Sequence, residues 1–329
     1  MKFSSRIAIA LSLVLAGSLK LAGTAADAKE FRSSDVHSLD YPTVLAVAKM
    51  DGLIRERTAN RHSIVALGND DQQSELYTIS ELRNGTLDMA RVNLAAFNTT
   101  VPSTMVLSLP FLFRSKAHLR RVLDGPIGAE ILADLDRQDL IGLCFYDTGA
   151  RSFYSIRKPI RNAGDLKGLT VRVQPGDKSA EVLIALGATP VPMSCDRIHD
   201  ALKAGLIDAA VDNWPSYITA RHYEVAPYFS LTEHNMAPGV LVFSKRVWDT
   251  LDKADQAIIR TAAQESAGYL REVWDTYESK ERMEVATAGP EIVSDVDRKS
   301  FSDILVPLYA KLVRDPRLQT TVTRIRATD

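Results

Sequence analysis

Short runs in which apolar and polar residues alternate are separated along the chain by longer stretches with an apolar residue every three or four positions. Period two marks strands and period 3.6 marks amphipathic helices, so the pattern predicts interleaved β and α elements and an α/β fold. Strands are expected over 30–34, 63–67, 89–92, 141–146, 152–156, 170–173, 209–211 and 240–243. A helix is expected from Pro42, where Leu45, Val47, Ala48, Leu53 and Ile54 make an apolar face, and others over 74–82, 127–135, 178–186 and 197–203. Pro42 suits a first helical turn, because the N–H it lacks would be unpaired there anyway. Between 101 and 113 the chain is apolar, but Pro102 and Pro110 preclude a long helix. From Ala254 to about Glu284 only Gly268 interrupts a helical pattern. At 1.5 Å per residue this helix would run about 45 Å, enough to cross two lobes. There is no repeat and no Gly/Ser-rich linker, which predicts a chain that passes between lobes more than once.

The first residues stand apart from this pattern. Lys2 and Arg6 precede an apolar run over 7–19, and Ala26-Asp27-Ala28 follows. That order predicts a secretory signal peptide over 1–28, cleaved after Ala28. A membrane anchor would need about 20 apolar residues, and Lys20 ends the run too early. The remaining 301 residues would carry 37 basic and 40 acidic side chains, a net charge of −3 against −1 for the whole sequence. With 46% hydrophobic and 25% charged residues the composition is globular, and near-neutral charge without a basic block excludes nucleic acid as the main partner. An exported chain permits a disulfide between Cys144 and Cys195, but both neighbourhoods read as strand packing, and the sequence leaves the pairing open.

Several chemistries lack their signatures. No Gly-rich dinucleotide or P-loop motif occurs, and no nucleophile elbow. The six histidines form no zinc spacing, and the acidic pair Asp70-Asp71 reads as a solvated turn. A binding protein is therefore favoured over an enzyme, with no metal or cofactor expected. Arg172 lies between Val171 and Val173 on a strand. An unpaired buried guanidinium is costly, so this one needs a carboxylate, either an internal Asp or Glu or a ligand. Arg151 is open to two readings, a loop charge or a ligand contact.

The stretch from Gly149 reads GARSFYSIRKPIRNAGDLKGLTVRVQPGD, followed by ALGATPVPM, ALKAGLIDAAVDNWPSY and HYEVAPYFSLTEH; ELRNGTLDM and SLPFLF precede it. In this order the motifs resemble the substrate-binding proteins of tripartite ATP-independent periplasmic (TRAP) transporters. The resemblance implies that Arg172 clamps a ligand carboxylate and that Arg151 is a second ligand-contacting arginine. Glu75 matches a ligand-side glutamate, although Gln73 replaces the glycine two residues before it. Asp212 falls where the family has asparagine; a carboxylate only accepts hydrogen bonds, so it would bind ligand hydroxyls, or Asn213 would take over. DVHSLDYPTV, RVNLAAFN and GARSFY resemble a subgroup that binds sugar acids, especially hexuronates. His37, Asp40, Glu75, Asn93 and Asp212 could serve the hydroxyls, with turn or capping roles as the alternative. Trp214 and Tyr217 could stack on a sugar face or pack in the core.

The expected protein is thus a two-lobed α/β periplasmic receptor with a central cleft. Residues 29–149 and 240–275 would form lobe one, and 150–239 and 276–329 lobe two, with a long helix spanning both. It would deliver galacturonate or glucuronate to the membrane subunits of a TRAP transporter. The alternatives are a receptor for C4-dicarboxylates or another organic acid, one serving a sensor kinase, and an exported enzyme on the same scaffold.

Overall fold

The computed structural model describes residues 28–68, 74–174 and 179–329, and of 281–288 the backbone alone. The expected leader up to Asp27, the Asp70-Asp71 turn, Gln73 and Lys178 lie outside the described residues. Eleven strands form among the described residues: β1 Lys29–Ser34, β2 His62–Leu67, β3 Met89–Asn93, β4 Leu140–Tyr146, β5 Arg151–Ser155, β6 Thr170–Val173, β7 Thr189–Pro192, β8 Ala209–Asn213, β9 Tyr228–Asn235, β10 Gly239–Ser244 and β11 Glu291–Val293. They make two sheets, ordered β2-β1-β3-β10-β4 and β11-β9-β5-β8-β6-β7. In the first, β1, β2 and β3 run parallel and β10 is antiparallel to both β3 and β4. β4 and β10 are buried throughout, which is why each reads as a nearly continuous apolar run.

Helices cover both faces of each sheet. Helix α1, Pro42–Arg57, turns Val44, Val47, Met50 and Ile54 onto the first sheet beside Phe31 and Phe243. Helix α2, Glu75–Asn84, is capped by Ser74, whose hydroxyl accepts from the Tyr77 amide, and ends at Gly85 in the left-handed region. On the second sheet, Phe153, Val171 and Val173 form one core with Leu183 and Phe301. Tyr154, Trp214, Tyr217 and Phe229 form another on its opposite face.

The chain passes between sheets at 147–150, from β4 to β5, and again at 236–238, from β9 to β10. Gly149 has φ +72°, and a Cβ there would lie 3.1 Å from Trp274 Nε1, so the first crossing needs glycine on both counts. The long helix Lys253–Ala288 has 36 residues and is about 54 Å long. Its Ile259, Ala262, Ala263, Leu270 and Trp274 are buried in the core of α1 and the first sheet. It also packs against the Trp214–Thr219 helix of the other lobe.

The C-terminal segment departs from the expected division. Phe301 and Leu305 pack on the second sheet, but Tyr309, Val313, Val322 and Ile325 are buried in the core of the first. Their apolar face is covered there and locked by polar contacts. The Tyr309 hydroxyl donates to the Pro110 carbonyl at 2.5 Å, and Arg114 donates to the carbonyls of Arg326 and Thr328. Lys116 meets Glu278 at 2.6 Å, so lobe-one contacts of the long helix also continue beyond residue 275. The boundary inside 276–329 is therefore misplaced: the chain returns to lobe one after about residue 308. Cys144 and Cys195 are both free, one on β4 of the first sheet and the other beside the second.

Candidate ligand-binding cleft

The two sheets face one another across a cavity lined by Val36, His37, Arg91 and Asn93 from one lobe, and by Arg151, Arg172, Gln174, Cys195, Asp212, Asn213 and Ser216 from the other. The side chains come from strands and from the turns and short helices at their ends. Arg151 starts β5, opposite Asn213 at the end of β8, and Arg172 projects from β6.

Arg172 is 95% buried, and among the described residues its guanidinium hydrogen-bonds no carboxylate, although Asp212 is near enough to favour its charge. Nε donates to the Met193 carbonyl at 2.8 Å, and Nη2 lies 3.2 Å from Cys195 Sγ. Arg151 donates from Nη2 to Asn93 Oδ1 at 2.9 Å, while its buried Nε finds no acceptor among the described residues. Asp212 lines the same cavity; its Oδ1 accepts the Asn213 amide at 2.8 Å. Asn213 caps the next helix, with Oδ1 accepting the Ser216 amide at 2.9 Å. His37 stacks on Tyr41 with ring centroids 3.7 Å apart. Burial, and then the nearby Arg91 and Arg151, hold its imidazole well below the usual pKa, so it is neutral at neutral pH.

Polar contacts cross the cleft beside Arg151–Asn93. Glu75 accepts from the amide and side chain of Asn93 at 2.8 and 3.0 Å, and on its other oxygen from Gln174 of the opposite lobe. The Tyr41 hydroxyl lies 3.0 Å from Ser216 Oγ and 3.4 Å from Asn213 Oδ1. The free space enclosed is about 20 Å³, room for a single water. A second chamber of about 70 Å³, lined by Met105, Pro110, Val182 and Leu183, meets the first at Arg151, Arg172 and Gln174.

The structure thus gathers Arg172, Arg151, Asp212, Asn213, His37 and Asn93 around one cavity, with Glu75 directly behind Asn93. It does not bring Asp40 there: that residue is exposed and accepts the Ser38 hydroxyl, as a turn residue does. Trp214 and Tyr217 are also outside the lining. Trp214 packs edge-on against Phe229 at 4.7 Å, and the Tyr217 hydroxyl donates to the Ala226 carbonyl, so both are core residues. Sequence reasoning missed Arg91, Gln174, Cys195 and Ser216. Arg91 carried the same signal as Arg172, an arginine between Ala90 and Val92 in a wholly buried strand.

The description of the bacterial extracellular solute-binding proteins, family 7, matches residues 33–315. The chain belongs to this family. A solute-binding protein from Chromohalobacter salexigens is 33% identical over 304 residues, 92% of this chain and 90% of its own length. A TRAP periplasmic solute-binding protein from Bradyrhizobium sp. BTAi1, solved in complex with α/β-D-galacturonate, superposes with a TM-score of 0.89 at 45% identity, covering 91% of this chain and 100% of that one. Another from Xanthobacter autotrophicus Py2, with bound β-D-galacturonate, gives 0.88 at 46% identity over the same shares. Family 7 receptors are two-lobed, and the two sheets and crossing segments described above are that architecture.

Proposed function

We propose that this protein is the receptor that captures a hexuronate, galacturonate foremost, and hands it to the membrane subunits of a TRAP transporter. The observation that carries this reading is the unmet hydrogen-bonding capacity of the cleft. Arg172, buried, and Arg151, part-buried, point guanidinium groups into one cavity, and neither hydrogen-bonds a carboxylate among the described residues. Asp212 adds an acceptor for hydroxyls in the same space. A ligand with one carboxylate and several hydroxyls satisfies both kinds of group, whereas a second carboxylate would face Asp212. Relatives at 45% and 46% identity hold galacturonate, which supports the same ligand class.

The protein acts by binding and release, without turnover. Ligand enters between parted lobes, and contacts to both sheets favour closure. Export by the leader would leave Lys29 as the first residue, which N-terminal mass determination on periplasmic protein checks. Titration calorimetry with D-galacturonate, D-glucuronate, succinate and D-galactose tests the ligand class. Binding of a uronate with no heat from galactose is expected; failure of both uronates to bind would refute the reading.

A further inference from the structure

Arg91 is 98% buried on β3, and two of its nitrogens, Nε and Nη1, have no hydrogen-bond partner among the described residues. Its remaining contacts are weak: Nη2 reaches Asn93 Oδ1 at 3.3 Å, and Nη1 stands 4.0 Å from Asp35 Oδ1. Asp35 cannot swing to it freely, because Oδ2 is held by the Thr43 hydroxyl at 2.6 Å and Oδ1 by the His37 amide at 3.1 Å. Arg91 and Arg151 converge on one oxygen, Asn93 Oδ1, from opposite sheets. The seat for this side chain is made by Gly239 on the neighbouring strand β10. A Cβ there would lie 2.7 Å from Arg91 Nε and 3.2 Å from its Cζ and Nη2, closer than side-chain atoms pack.

Buried donors left open cost free energy that the fold recovers only when something fills them. Asp35, 4.0 Å away, offsets part of the charge of Arg91, so what remains on offer is polarised N–H groups for a neutral oxygen. The ligand carboxylate goes to Arg172 and Arg151, which hydrogen-bond no acid among the described residues. On the reading that the ligand is a uronate, we propose that Arg91 is a specificity-determining residue that donates to a ligand hydroxyl from the first sheet. We further propose that Gly239 is its positioning residue, acting only by leaving the guanidinium room.

The test is a double-mutant cycle read by calorimetry with D-galacturonate, using Arg91→Met, Gly239→Ala and the double variant, with ligand-free melting followed in parallel. Each single variant is expected to raise Kd by about tenfold or more. Gly239→Ala is expected to add nothing in the Arg91→Met background, since two residues acting through one contact are not additive. Monodeoxy galacturonates add a readout that a structural role would not move: Arg91→Met should cost one of them little, the one lacking the hydroxyl that Arg91 reads. Unchanged affinity in Arg91→Met, a Gly239→Ala penalty that persists in the double variant, or equal weakening for every analogue overturns the inference while the uronate reading stands. If the wild type binds no galacturonate, the functional reading fails and this inference with it.

Discussion

Replacing Arg172 by methionine should separate binding from folding. The side chain is 95% buried, and its hydrogen-bond partners among the described residues are one carbonyl, Met193 O, and one neutral sulfur, Cys195 Sγ. Methionine keeps most of the apolar volume of the stem and removes the fork. If the fork holds the ligand carboxylate, its loss removes a charge-assisted, desolvated pair at a cost of about 2–5 kcal/mol, a rise in Kd of about thirtyfold to several thousandfold. The ligand-free protein responds differently. It loses the bond to Met193, worth about 1 kcal/mol, or up to about 3 if that carbonyl is left dry. It also sheds a buried charge with no hydrogen-bonded acid beside it, which offsets the loss. The two terms leave ligand-free stability within about 1 kcal/mol, or melting within about 4 °C of the wild type. Calorimetry gives the first quantity and a thermal melt the second. Arg172→Lys should fall between, because an ammonium keeps the charge but not the planar fork. A Kd within threefold of the wild type would place the carboxylate elsewhere. A large drop in ligand-free melting temperature would make Arg172 a structural residue.

Asp212→Asn should weaken galacturonate binding by about 1–3 kcal/mol, through loss of a charged acceptor, and should improve the relative binding of the dicarboxylate galactarate; calorimetry showing an unchanged ratio of the two ligands would sink that role. Burial holds His222 down to about pKa 4 and His234 to about 3, below the unfolded value of about 6.5. The unfolded chain therefore takes up protons first, and stability should fall on acidification below about pH 6.5, by about 1.4 kcal/mol per pH unit for each histidine, until about pH 4 and 3 respectively. Asp35, whose carboxyl is raised by burial, works in the opposite sense. Urea melts at pH 6.5, 5.5 and 4.5 measure the slope, and a flat profile would contradict the burial argument. Removing residues 316–329 uncovers the core around Tyr309 and Val313 and deletes the buried Val322 and Ile325. The loss should be about 3–6 kcal/mol, and an unshifted denaturation midpoint would show that the segment does not hold lobe one.

The parts of the fold legible in the sequence are those determined locally. Strands such as β4 and β10 announce themselves because burial on both faces demands unbroken apolar runs. The long helix was legible from the absence of breakers, and ended at Gly289 rather than near residue 284. The Lys116–Asp124 helix was missed because its apolar face is only Leu119, Val122 and Leu123 among charged residues. The return of the C-terminus to lobe one rests on contacts between residues about 200 positions apart, such as His118 with the Ile325 carbonyl, which no local period encodes. In the cleft, motif order pointed to Arg172 and Arg151, both of which line the cavity. It did not point to Arg91, since an arginine in a buried strand is equally consistent with an internal ion pair, and only the nitrogens left open beside the 4.0 Å pair with Asp35 show that it has donors to spare.

The same geometry bears on how the cleft closes. Across it run the Glu75–Gln174 contact, the Tyr41 contacts to Ser216 and Asn213, and the Arg151–Asn93 bond. Neutral contacts of this kind are worth about 1 kcal/mol each after desolvation, so a handful gives a closed form of modest intrinsic stability. The buried residues of each core cluster belong to one sheet, and only the partly buried Phe111 and Leu312 are seen, among the described residues, to carry apolar packing from the first lobe to the second. One of these contacts ends on Asn93, which Arg151 reaches from the other lobe and which Glu75 fixes from behind. A ligand that engages Arg151 together with the first-sheet wall adds charge-assisted bonds available only when the lobes meet. Differential binding of about 3 kcal/mol is enough to shift the open–closed ratio by more than a hundredfold. On the proposed reading, the wall residues that recognise the ligand therefore also report its presence, by setting which lobe arrangement the membrane subunits encounter.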